Sequence, residues 1–511
     1  MSYRKMQFWL VAIVGMAVLT GFMSVPGLGQ QPKANPGAEK KAGPTLLYFG
    51  VAACRNCHTN PDNLKDSPPL LCRCNEVVIW EKEDKHKDAY KNLSGPRGQQ
   101  MAKLLGIMDV AKERACVACH GIYIPPDKVK ELTDPASFKV EEGVSCVACH
   151  GPYAEWVTRH GSPLQRDRDA WRGLSRQAKE EQFGMTDLWD PAKRTNKCAS
   201  CHIGNSEEGK VVTHAMYAAG HPPLPGVEVS TFSDAMPRHW QYLKEKPAAA
   251  QKLLEYNPAE LEKTKLVVIG GVADLQDAMR LLATQAQAML KVTPPENRSL
   301  DLAQIDCYAC HHELKVPSWR QSRGYSGVPG RPQFRQWPLA LVKLGMRHAG
   351  QEKQIPEFEK KLSVLQEAFN AQPFGKLDEV VRTADDLAKW CAQLETSLGQ
   401  KNVQYNRAAA ISLLRQLCAM SETEVQDYDT ARQMAWAFKT IYSELDSKRS
   451  NDSEVQAKLK ALDNELKLSL PSGQEHQILA ELPIALRKIS DYDPSKVQHV
   501  FQDLAKLLPP K

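Results

Sequence analysis

The chain has 511 residues, which is more than one ordinary hydrophobic core holds, so we expect two domains. Its 66 Lys and Arg residues against 60 Asp and Glu residues leave a formal charge of +6 at pH 7. That charge favours an anionic partner only if the chain binds no charged cofactor.

The N-terminal residues have the form of an export signal. Arg4 and Lys5 precede an apolar run from Phe8 to Val25. The run is long for a signal peptide and short for a membrane-spanning helix, so residues 1–25 are either a signal peptide or an N-terminal anchor. Residues 26–46, rich in proline and lysine, are predicted to form a flexible linker. We therefore expect an exported, periplasmic protein, with a membrane tether through residues 8–25 as the alternative.

One pattern, Cys-x-x-Cys-His, recurs five times between residues 54 and 311. Its two cysteines can each form a thioether with a haem vinyl group, and the histidine is placed to bind the iron. With 14 Cys and 14 His in the chain, chance predicts about 0.01 occurrences, and zinc ribbons do not require that histidine. We therefore predict five covalently bound haem c groups, at Cys54, Cys57 and His58; Cys116, Cys119 and His120; Cys146, Cys149 and His150; Cys198, Cys201 and His202; and Cys307, Cys310 and His311.

These haems change the charge of the protein. Five of them bring about −10 from propionates and about +5 from ferric porphyrin cores, which leaves a net charge of about +1. No nucleic-acid partner is therefore predicted.

Four cysteines lie outside the motifs. Cys391 and Cys418 lie on apolar faces of predicted helices. They either form a disulfide or are two buried free thiols. Cys72 and Cys74 lack a following histidine, and a bridge across one residue would be strained, so their state is open as well.

Haems with two histidine ligands need histidines from outside the motifs. The candidates for this second position are His86, His160, His214, His221 and His239. Val77 to Leu93 is predicted to form one helix that carries His86.

The two histidines at 214 and 221 are predicted to serve different irons. Thr213 can cap a short helix that Gly220 ends, which sets His214 and His221 about 10 Å apart. Further along the chain, His348 could reach back to a haem. Arg320, Arg323, Arg331 and Arg335 could pair with propionates or form an exposed basic face.

The fold is predicted to be mainly α. Residues 47–336 should form a pentahaem cytochrome c domain of short helices and loops packed around haems, which includes a packing helix from Asp274 to Val292. From about Trp337 apolar residues recur at helical spacing, so residues 337–511 should form an α-helical bundle domain without haem sites. Gly399 is predicted to end one helix, and Ser421 with Glu424 has the form of a capping box.

The block from Cys54 to His202 resembles the tetrahaem cytochrome c-554 family, whose members take electrons from hydroxylamine oxidoreductase in ammonia oxidisers. The matching features are the first motif followed by Trp80 and His86, the second motif, residues 143–152 around the third motif leading to His160, and the fourth motif. The resemblance implies closely stacked haem pairs and a five-coordinate haem at His120. It also implies that His86 and His160 bind haems other than the nearest in sequence. The fifth motif and the helical C-terminal region depart from the family pattern.

We expect a protein that carries electrons through stacked, mostly bis-histidine haems between redox protein partners, rather than an enzyme. One alternative is a haem enzyme, such as a reductase or oxidase of small nitrogen oxides, that uses one five-coordinate haem. The other is that the C-terminal bundle is a docking or oligomerisation module.

Overall fold

The computed structural model describes residues 43–60, 72–312, 314, 316–318, 321, 327–445, 452–466 and 492–509. The predicted signal segment 1–25 and the linker up to residue 42 lie outside the described residues. The last residues of the predicted linker are bonded to the folded part of the chain. The Thr45 backbone N–H donates to the Glu155 carboxylate at 2.7 Å, and Leu46 forms an isolated antiparallel β-bridge with Tyr153. No helix in the described ranges has the length and apolar character needed to cross a membrane.

Helices make up nearly all the regular structure in the described part of the chain, where β pairing is limited to isolated bridges. This confirms the predicted mainly α fold. The helices before residue 260 are mostly short, as expected for a segment in which haems supply apolar surface. They are Ala52–His58, Glu76–Glu83, Ala89–Leu93, Pro96–Leu105, Arg114–His120, Val129–Leu132, Cys146–His150, Ala154–His160, Gln165–Gly173, Arg176–Phe183, Pro191–His202, His214–Ala218, Val229–Ala235 and Ala248–Leu253.

The helices after residue 260 are mostly longer and amphipathic. They are Glu262–Met289, Leu339–His348, Ile355–Ala371, Leu377–Leu398, Arg407–Glu424, Tyr428–Ser443, Asp452–Leu466 and Pro494–Leu507. Gly399 follows the end of Leu377–Leu398, which confirms the predicted stop.

The predicted helix from Val77 to Leu93 is wrong in one respect, because it is interrupted at Asp84. Asp84 adopts an extended conformation (φ −78°, ψ 127°), and its carboxylate accepts a hydrogen bond from the His86 backbone N–H. An acidic side chain that bonds the following backbone competes with helix continuation and starts a new turn instead. His86 therefore lies on a separate 3-10 turn, Lys85–Asp88.

The predicted capping box at Ser421 is also wrong. Ser421 lies inside the helix Arg407–Glu424, and its hydroxyl donates to the Cys418 carbonyl oxygen at 2.7 Å. The Ser-x-x-Glu pattern marks a helix start only where the backbone leaves its first N–H groups unpaired.

The long helix Glu262–Met289 begins well before the predicted start at Asp274. Two glycines in its first half let neighbouring helices approach closely. A Cβ on Gly271 would lie 2.4 Å from the Leu341 Cβ, and one on Gly270 would lie 2.7 Å from the Val229 Cγ1. The helix is therefore packed on several sides rather than on one face.

One hydrophobic core runs from the long helix to the C-terminal helix, from Val267 to Leu508. The long helix packs against Leu377–Leu398 and Leu339–His348, and also against Pro191–His202, which carries the fourth haem motif. The domain boundary at residue 337 stays a prediction. The core of the C-terminal helices nevertheless includes the long helix, which precedes that boundary.

A half-buried carboxyl group, that of Glu395, gives this core a pH dependence. Burial raises the pKa of Glu395 to about 8, with the charge of Asp277 adding to the effect, and its Oε1 atom has no hydrogen-bond partner among the described residues. A carboxyl group whose pKa is raised on folding stabilises the protein below its unfolded pKa, and this contribution is lost as the pH rises towards 8.

We predict that Glu395→Gln raises the melting temperature at pH 8 by about 2 to 4 °C and much less at pH 5, because the glutamine never ionises. Thermal unfolding of the haem-loaded protein, followed by circular dichroism at both pH values, measures this difference. The exposed Glu357→Gln is the control. Equal effects of Glu395→Gln at both pH values would contradict the prediction.

Candidate functional site

Four of the five Cys-x-x-Cys-His motifs lie at the C-terminal end of a helix. The helices Ala52–His58, Arg114–His120, Cys146–His150 and Pro191–His202 each end at the motif histidine, and the fifth motif begins with the 3-10 turn Cys307–Ala309. Residues i, i+3 and i+4 share one face of a helix. Both cysteines and the histidine of a motif are therefore presented to the same side, as one haem requires.

Three motif histidines lie opposite a histidine from a distant part of the chain. The ring centroids are 6.0 Å apart for His58 and His160, 6.3 Å for His120 and His221, and 6.3 Å for His311 and His214. An imidazole nitrogen binds a metal at about 2.0 Å and lies about 1.1 Å from its own ring centre, so two imidazoles on one iron have centroids about 6.2 Å apart. The three separations fit an iron held between the rings.

The other two motif histidines, His150 and His202, are half-buried and lie near the remaining two candidates. Burial lowers the pKa of His150 to about 4, and the nearby His239 lowers it further. Burial likewise lowers the pKa of His202 to about 4, and the charge of His86 adds to the effect. A neutral imidazole is the form that binds iron, so these environments suit ligands.

Six of these histidines use Nδ1 in a hydrogen bond, which leaves Nε2 for the iron. Backbone carbonyls accept from four of them: His120 to Ala89 (2.9 Å), His160 to Trp156 (3.1 Å), His221 to Pro222 (2.7 Å) and His239 to Pro237 (3.4 Å). Carboxylates accept from the other two, His58 to Glu76 (2.8 Å) and His86 to Asp84 (2.9 Å). Metal-binding histidines usually have such an outer partner, which fixes the ring and its tautomer. The donor set therefore fits haem iron.

Sequence reasoning missed Glu76 and Asp84. Burial alone would lower the pKa of His58. The pKa is instead raised to about 8, because the Glu76 carboxylate accepts a hydrogen bond from the His58 ring N–H. Asp84 precedes His86 by two residues, so a capping pattern could have indicated it. Glu76 is far from His58 in sequence, and no local pattern predicts that contact.

The haem motifs lie close to one another. The thiol of Cys54 neighbours that of Cys146, and the thiol of Cys119 neighbours that of Cys201. The first motif thus lies beside the third and the second beside the fourth, while Cys149 of the third motif also interacts with the fourth. This arrangement is compatible with the stacked pairs that the family resemblance implies.

The five-coordinate haem implied at His120 stays a prediction, and His221 lies across from His120 as a candidate second ligand. No local sequence pattern indicates this contact, since the two residues are far apart in the chain. His348 does not reach back to a haem motif. Its ring packs against Tyr405 at 4.8 Å, beside the C-terminal core.

Two of the four arginines after the fifth motif lie in the described part of the chain, and both bond to other parts of the protein. The half-buried Arg335 donates to the Leu224 carbonyl at 3.0 Å and forms an ion pair with Asp429 at 3.5 Å. Arg331 donates to the Asn370 carbonyl at 3.0 Å. Arg320 and Arg323 lie outside the described residues, and pairing with propionates stays a prediction.

The cysteines outside the motifs are free thiols in this structure. Cys391 and Cys418 are buried, which agrees with the second of the two alternatives. The Cys72 and Cys74 sulfur atoms are 3.6 Å apart. Cys72 also lies beside His58 and Glu76, with ligand atoms within 4.8 Å of one another.

Comparison with known proteins agrees with the motif analysis. Residues 53–151 match the family model described as "Cytochrome c554 and c-prime", a range that holds the first three haem motifs. No curated protein and no solved structure shows a significant match to the chain. Residues 53–151 therefore resemble the haem-binding segment of c-554-like multihaem cytochromes, whose cofactor is covalently bound haem c.

Proposed function

We propose that the chain is an exported pentahaem cytochrome c that carries electrons between redox protein partners. The supporting observation is that each of the five motif histidines has a second histidine nearby. The proposed ligand pairs are His58 with His160, His120 with His221, His150 with His239, His202 with His86, and His311 with His214.

This ligand arrangement favours electron transfer over catalysis. An iron with two histidine ligands has no free position for a substrate, so it changes only its oxidation state. The protein contributes the ligands, their fixed tautomers and close contact between motifs. A haem enzyme needs an open iron, and the strongest candidate, at His120, faces His221.

The C-terminal helices contribute a rigid support in this proposal. The long helix Glu262–Met289 holds the motif helix Pro191–His202 on one side and enters the C-terminal core on another. A docking or oligomerisation role for the bundle remains an additional proposal, as do the redox partners and the export signal.

The proposal is tested by haem quantitation and electron paramagnetic resonance of the protein expressed with haem c maturation. We expect five haems per chain and only low-spin ferric signals. Fewer than five haems would mean that a motif is not loaded. A high-spin signal that responds to nitric oxide or nitrite would favour an enzyme instead.

A further inference from the structure

Two of the proposed haem ligands differ from the others in the charge of their outer partner. His58 donates to the Glu76 carboxylate and His86 to the Asp84 carboxylate, whereas His120, His160, His221 and His239 donate to neutral backbone carbonyls. Apart from the longer His239 contact of 3.4 Å, these hydrogen bonds measure 2.7 to 3.1 Å, so the main difference between the two groups is the charge of the acceptor.

Both carboxylates are held in place by further hydrogen bonds. Glu76 also accepts from the Arg73 backbone N–H at 2.5 Å. Asp84 is 3% exposed, and its Oδ1 atom accepts from both the backbone N–H and the ring of His86 at 2.9 Å. Their positions therefore do not depend on the histidine contact alone.

A negative acceptor changes the electronic character of an axial histidine. It draws the Nδ1 proton towards itself, which increases electron density on Nε2 and favours ferric over ferrous iron. A neutral carbonyl does this less, because its partial charge is smaller.

The two carboxylates are distributed between the two motif pairs. The thiol of Cys54 neighbours that of Cys146, so the motif of His58 lies beside that of His150. The thiol of Cys119 neighbours that of Cys201, so the motif of His202, whose proposed second ligand is His86, lies beside that of His120. Each pair thus contains one motif with a carboxylate-bonded ligand and one whose known Nδ1 partners are carbonyls.

We propose that Glu76 and Asp84 are positioning residues that hold one haem of each pair at a lower reduction potential than its neighbour. This rests on the proposed electron-transfer function. Because electrons move towards the higher potential, each pair acquires a preferred direction of transfer.

The test is a spectroscopic redox titration of the five-haem protein with Glu76→Gln and Asp84→Asn. Both amides can still accept the hydrogen bond but carry no charge. In each variant we expect one haem to shift its reduction equilibrium about tenfold towards ferrous iron, a rise of about 59 mV in midpoint potential. The other four haems should change little.

Matched controls remove a nearby charge that does not bond a histidine. The first control is Glu142→Gln. Glu142 lies near Cys54, and its carboxylate accepts a hydrogen bond from the Val51 backbone N–H at 2.8 Å. The second control is Asp88→Asn, since Asp88 lies two residues from His86 and forms an ion pair with Lys87. Shifts in the controls equal to those in the test variants would overturn the proposal, since overall charge would then be the cause.

The outcomes separate this proposal from the proposed function. Unchanged potentials in variants that retain five low-spin haems would overturn the tuning role and leave electron transfer intact. If either variant loses haem, Glu76→Asp and Asp84→Glu keep the charge and alter the contact. We then expect a smaller rise in potential, and no rise would overturn the proposal. High-spin haem in the unmodified protein would instead count against the proposed function.

Discussion

His221→Ala is expected to convert one of the five haems from low-spin to high-spin ferric iron. The ring of His221 lies 6.3 Å from that of His120, a separation that fits two imidazoles on one iron. Alanine leaves the iron with one protein ligand and an open position, which accepts cyanide or nitric oxide. Electron paramagnetic resonance and ligand-induced optical changes measure the conversion.

The control for this variant is His499→Ala. His499 is exposed on the C-terminal helix Pro494–Leu507, where its ring donates to the Ser495 carbonyl. It should leave all haems low-spin. A spectrum of His221→Ala identical to that of the unmodified protein would show that His221 is not a ligand. That result would favour the five-coordinate haem that the family resemblance implies.

The double variant Cys307→Ser and Cys310→Ser is expected to lower the haem content from five to four per chain while the rest of the protein folds. Thioether attachment needs both thiols. The fifth motif lies on a short 3-10 turn, and Cys310 and His311 are exposed, so few core contacts depend on it. Haem quantitation and circular dichroism together measure the result.

The corresponding change at the fourth motif should be more damaging. Cys198→Ser with Cys201→Ser removes a haem beside the helix Pro191–His202, which packs against the long helix and through it against the C-terminal core. We expect lower yield and a lower melting temperature as well as haem loss. Equal stability of the two double variants would contradict this view of the long helix as a support. Unchanged haem content in the fifth-motif variant would mean that this motif is not loaded.

The same packing bears on the separation of the two predicted domains. Removal of residues 337–511 would expose Val268, Val272 and Leu275 of the long helix, which are fully buried in the shared core. The haem part is therefore not expected to remain well folded without the C-terminal helices.

The sequence by itself determined the haem chemistry and the helical class. A Cys-x-x-Cys-His motif is local, because its three functional side chains share one helical turn, so its meaning does not depend on distant residues. Apolar periodicity likewise predicted the C-terminal helices, and Thr213 and Gly220 correctly bounded the short helix at His214. Two local predictions were wrong, the uninterrupted helix through Asp84 and the capping box at Ser421. At both residues the side chain forms a hydrogen bond with the nearby backbone instead.

Only the tertiary structure decided which histidines meet. His58 and His160, or His120 and His221, are brought together by folding of about a hundred intervening residues, and no periodic pattern encodes such a contact. The carboxylate of Glu76 reaches His58 for the same reason. The predicted number of haems therefore follows from local spacing, whereas their proposed ligands and the charges that surround them follow from long-range packing.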